Sequence, residues 1–86
     1  MKGAEYDGGR VAIANVGGTL YAFDALCTHQ GGPLDEGDLE GDIVTCPWHA
    51  GQFNVKTGVV ESPPSGMPVK TYPVRVVNGE VLVEVP

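Results

Sequence analysis

The 86-residue sequence predicts an all-β fold, an antiparallel β sandwich or small barrel carrying an inserted, loop-rich subdomain. Three observations predict it. No stretch of eleven residues keeps the apolar period of a helix. Apolar, partly β-branched segments near both ends are joined by Gly-Gly and Asn-Gly, two-residue hairpin signals. Between those ends the chain turns to Gly, Pro and acidic residues. The division is a single domain over 1–86, with a basal β scaffold at about 1–25 and 67–86 and an inserted subdomain at about 26–66.

In chain order, Lys2 to Tyr6 forms a short first strand before the turn signal Asp7-Gly8. Arg10 to Val16 and Thr19 to Phe23 flank Gly17-Gly18 and form a hairpin. Ile43 to Thr45 and Gln52 to Val55 read as short strands feeding the loops, and Lys56-Thr57-Gly58 as a turn. Ser62-Pro63-Pro64-Ser65-Gly66 is a stiff loop, because proline has no N–H to give a central strand. Val74 to Val77 and Glu80 to Val85 flank Asn78-Gly79, which suits a turn with positive φ at both central residues. Val81, Val83 and Val85 alternate with Leu82 and Glu84, so one face of the last strand is apolar and is expected to meet the core.

Composition narrows the function. A chain this short has a thin core and leans on a metal or a disulfide. Its formal charge of −6 argues against phosphate-rich nucleic acid and anionic membrane surfaces as partners. No apolar run reaches the length of a membrane span, and the N-terminus has neither an apolar leader nor twin arginines. The expectation is a cytoplasmic protein, where two cysteines do not make a secreted disulfide framework.

Both cysteines and both histidines lie between positions 27 and 49: Cys27-Thr28-His29, then Cys46-Pro47-Trp48-His49. One thiol and one imidazole on each of two arms is a metal-ligand pattern. A mononuclear zinc site uses the same residue types, but its usual spacing groups cysteines on one element and histidines on another. Mixed arms suit two metals, with each arm giving its cysteine to one and its histidine to the other. Two thiolates on one iron and two imidazoles on the other is the ligand set of a Rieske [2Fe–2S] centre.

Cys27-x-His29-Gln30-Gly31, sixteen intervening residues, then Cys46-Pro47-Trp48-His49 closely resembles the Rieske signature. Gly31, Pro47, Gly51 and Phe53 resemble the family's loop positions, as do Thr57-Gly58 and Ser62-Pro63-Pro64. The resemblance covers nearly the whole chain. It implies one [2Fe–2S] cluster, with Cys27 and Cys46 on an inner iron and His29 and His49 on an outer iron at the solvent-facing tip. It further implies that Gly31, Gly32 and Gly51 let the backbone approach the cluster sulfurs, and that Trp48 shields the cluster. Family members carry a further strand ahead of the point where this sequence starts.

Within the family, the high-potential members carry a disulfide beside the cluster and hydroxyls against its sulfurs. The matching positions here are Gly32 and Trp48, then Gly51 and Phe53, with no thiol and no hydroxyl. Ligand type sets the class, since Rieske centres span about −150 to +300 mV against about −400 mV for all-thiolate plant-type clusters. The expectation here is the low end. The sequence thus resembles the small ferredoxins of bacterial aromatic-ring dioxygenase systems. Such a protein is a one-electron carrier with no catalytic residues. It takes electrons from an NAD(P)H-dependent flavoprotein reductase and gives them to a terminal oxygenase, and a monomer is the simplest form. The alternatives are a Rieske domain of a larger oxidoreductase and an accessory redox-sensing subunit. Asp35, Glu36, Asp38, Glu40 and Asp42 read either as a rim that steers a basic partner or as a solvated loop.

Overall fold

The computed structural model describes residues 1–6, 8–26, 32–48, 51–62 and 67–85. Its first sheet grows from the Gly17-Gly18 turn, which joins β2 (Gly9–Val16) to β3 (Thr19–Asp24) with Val16 opposite Thr19. Both glycines take positive φ, and the Asn15 side-chain oxygen accepts the Gly18 N–H at 2.9 Å. β1 (Lys2–Tyr6) pairs with the outer edge of β2 and β8 (Thr71–Tyr72) with that of β3, giving the order β1-β2-β3-β8.

The inserted region builds a second antiparallel sheet, β4-β5-β6-β7, from Asp38–Glu40, Ile43–Thr45, Gln52–Asn54 and Val60–Ser62. A short 3-10 turn, Leu34–Glu36, precedes it and is the only helical element among the described residues. Among the described residues no helix is long and apolar enough to cross a membrane. The third sheet is the hairpin of β9 (Val74–Val77) and β10 (Glu80–Val83). Its turn has φ of 51° at Asn78 and 80° at Gly79, as Asn-Gly requires. The sheets stay open, so the fold is layered and not a closed barrel.

Alternation along β2 decides what lies between the layers. Ala12 and Ala14 are buried with Phe23, which stands opposite Ala12, and this face meets Leu34, Val44, Phe53, Val55 and Val69. Phe23 and Phe53 are fully buried. Each contributes about 1.5–3 kcal/mol of apolar transfer. One core therefore joins the basal sheet to the inserted sheet.

The last hairpin departs from expectation. Val81 is 42% exposed and Val83 and Val85 are half-buried, so the apolar face of the last strand does not enter the main core. The hairpin pairs with neither four-stranded sheet, and Val81 instead borders a cleft of about 570 Å³ with Ile13, Asn15 and Leu20. Ser62, read as the first residue of a stiff loop, is instead the last residue of β7; residues 63–66 lie outside the described ones.

Candidate metal centre

Two segments leave the junction of the sheets, and the described residues that flank each are bonded across its neck. The first spans the positions of Cys27 and His29. Leu26 bridges Pro33, and the Leu34 N–H donates to the Ala25 carbonyl at 2.7 Å. The second carries Cys46-Pro47-Trp48 and the position of His49. Here the Cys46 N–H donates to the Gly51 carbonyl at 2.8 Å. A register shift between Gln52 and Phe53 follows at once, the kind of irregularity that re-aims side chains beside a site.

Of the four expected ligands, Cys46 lies among the described residues; Cys27, His29 and His49 lie outside them. So do Gly31 and residues 63–66 of the proline-rich segment. Cys46 follows β5 directly, is 2% exposed and has a free thiol. Gly32, past the first loop, lies against it: a β-carbon there would stand 2.6 Å from the Cys46 Sγ and 3.2 Å from Cγ and Cδ2 of Trp48. The two loops therefore meet at Cys46. Trp48 packs on Gly32 yet stays 57% exposed. Gly51 and Phe53 are buried, and Phe53 is an apolar plug with no hydroxyl to offer.

Asp35 corrects the reading of the acidic stretch as a wholly exposed rim or solvated loop. Its carboxylate is 5% exposed and bonded to Arg10, whereas Glu36, Asp38 and Glu40 are exposed. The pairing with Asp35 holds the Arg10 guanidinium above its ordinary pKa. No sequence pattern announces this pair, because Arg10 lies in a strand that reads as scaffold.

These residues fit a metal cluster. A buried thiol on a closed loop supplies a soft donor, and a bare glycine lets a second loop's backbone reach its sulfur. Fold and site together define a small β protein in which two loops meet at a buried thiol. The Rieske [2Fe-2S] domain pattern matches residues 1–73, and the chain belongs to that family. Membership assigns it a single [2Fe–2S] cluster. The chain is 46% identical over 80 residues to a biphenyl dioxygenase ferredoxin subunit from Pseudomonas sp. (strain KKS102), covering 92% of this chain and 73% of the relative. Its fold is similar to that of a ferredoxin from Sphingomonas yanoikuyae B1, with TM-score 0.91 and 36% identity over 96% of this chain and 81% of that one. It is also similar to a chain in a complex of reduced oxygenase and oxidized ferredoxin in carbazole 1,9a-dioxygenase. There the TM-score is 0.89 and the identity 40%, over 94% of this chain and 83% of that one.

Proposed function

We propose that this protein is the ferredoxin component of an aromatic-ring dioxygenase system, a one-electron carrier and not itself a catalyst. The observation that carries the reading is the buried Cys46 thiol at the meeting point of two neck-closed loops, in a chain whose relatives are dioxygenase ferredoxins. Cys27 and Cys46 would hold one iron and His29 and His49 the other. When bound, the cluster accepts and releases one electron. The chain's own residues position it: the necks fix the loops, and the core of Phe53, Val44 and Leu34 keeps water from the Cys46 side. A cytoplasmic monomer, charged by an NAD(P)H-dependent flavoprotein reductase and discharged by a terminal oxygenase, completes the proposal. A net charge of −6 favours partners with basic docking patches.

The test begins with visible absorption and low-temperature EPR before and after dithionite. A rhombic reduced signal of low average g supports the ligand set, and its loss in Cys46→Ser and His49→Ala supports the residues named. Single-turnover mixing of the reduced protein with a dioxygenase oxygenase then tests the direction of transfer. A colourless zinc protein, or a reduced protein that no oxygenase reoxidises, would refute the function.

A further inference from the structure

The buried Asp35 calls for an explanation that stability does not supply. Arg10 Nη2 donates to its Oδ2 at 2.7 Å and Nε to the same oxygen at 3.3 Å. Glu5, opposite Arg10 across the β1–β2 pair, accepts from Nη1 at 3.3 Å. Oδ1 is buried without a hydrogen-bond partner among the described residues. A carboxylate that receives both donors on one oxygen and leaves the other bare is a costly way to stabilise a fold.

Its location gives it another use. Asp35 sits in the middle of the segment Gly32–Gly37, whose two ends both rest on the strand that delivers Cys46. Gly32 lies against the Cys46 Sγ, and a β-carbon on Gly37 would collide with the Thr45 carbonyl oxygen. Between them Leu34 is fully buried, and its N–H is tied to Ala25. On the basal sheet a β-carbon on Gly3 would collide with Arg10 Nη2 and Asp35 Oδ2, so bare Gly3 leaves the room in which the two charges meet.

We propose that Arg10 and Asp35 are positioning residues, a clamp that ties the Gly32–Gly37 segment to the β1–β2 edge of the basal sheet and so fixes its seat against Thr45 and Cys46. The clamp sets the surroundings of the Cys46 sulfur from outside the ligand loops. It rests on the reading of Cys46 as an iron ligand.

The experiment compares the cluster-loaded wild type with Asp35→Asn, Arg10→Gln and the double variant. It reads the midpoint potential, the rate of iron loss to a chelator, and amide exchange at Leu34 and Gly37. A clamp predicts that both single variants shift the midpoint in the same direction, release iron several-fold faster and lose protection at both amides. The double variant should go no further than either single one, because the two residues act as one unit. A through-space charge effect would instead raise the midpoint in Asp35→Asn, lower it in Arg10→Gln and cancel in the double. That pattern, or unchanged iron loss and amide protection, overturns the clamp. Arg10→Lys keeps the charge but loses the planar fork, and is expected to fall between wild type and Arg10→Gln should the larger changes prevent folding. A wild type lacking the Rieske EPR signal would overturn the ligand reading; one that has it while its variants behave identically would overturn the clamp alone.

Discussion

Gly32 and Cys46 leave no room for a methyl group between them: the β-carbon of an alanine at 32 would stand 2.6 Å from the sulfur. Carbon and heavier atoms rest about 3.5–4.0 Å apart. Something must move, and the candidates differ. The Trp48 ring is mostly exposed and can swing, whereas the Cys46 side chain is buried and short. Gly32→Ala should therefore displace the sulfur, lowering iron bound per chain several-fold. Overpacking of this kind costs about 1–3 kcal/mol in stability. Iron analysis and thermal unfolding check both. Full iron occupancy with an unchanged EPR signal would show that the close approach has no bearing on the cluster.

Adding hydroxyls beside the cluster should raise a low potential. By the family resemblance Gly51 and Phe53 match positions where high-potential members offer hydroxyls, and both are buried here. A hydrogen bond to a charged group is worth about 1.5–3 kcal/mol. Since about 1.4 kcal/mol is 60 mV for one electron, a bond made wholly to the reduced form would add up to about 130 mV. The wild-type midpoint is expected near the low end of the Rieske range, about −150 mV. Gly51→Ser and Phe53→Tyr are each expected to move it upward by tens of millivolts. Protein-film voltammetry reads all three, and a wild-type midpoint well above zero would sink the argument.

The hairpins were legible because their turns are local chemistry: Gly17-Gly18 and Asn78-Gly79 each supply the positive φ that a tight turn needs. β4 was not legible. Asp38–Glu40 is two carboxylates around one leucine, and what makes it a strand is its pairing with β5. In the last strand, alternation identified which side chains share a face but not what that face meets. The Cys/His arms stood out because the chain has no other cysteine or histidine. Asp35 was hidden, because its burial depends on an arginine 25 residues earlier and on the bareness of Gly3.

Tyr72 makes alkaline stability a test of how β8 docks. Its phenol is pushed up to about 12, first by burial, then by its hydrogen bond with Tyr6, with the negative charge of Asp24 adding to both. The unfolded phenol titrates near 10. Between these values the unfolded chain binds fewer protons than the folded one, so stability falls as pH rises. The contribution is therefore complete below about pH 10 and lost by about pH 12. Denaturant unfolding at intervals from pH 9 to 12 should show this decline, and Tyr72→Phe should remove its part of it. A variant that declines as steeply as wild type would place the loss elsewhere.

One exposed carboxylate lies beside the strand that leads to Cys46. Asp38 stands opposite Thr45 in the β4–β5 ladder, one residue before Cys46, and with Glu40 it lines a polar cleft of about 260 Å³. At 0.15 M salt the screening length is about 8 Å, so charges beside the docking site count and distant ones do not. If this rim steers a basic partner surface, Glu36→Gln, Asp38→Asn and Glu40→Gln combined should slow second-order electron transfer to the oxygenase several-fold at low salt. The dependence on ionic strength should flatten with it, while the first-order transfer rate within the complex holds. Stopped-flow mixing across a salt series separates the two rates. A triple variant with wild-type salt dependence would leave these carboxylates as solvated surface.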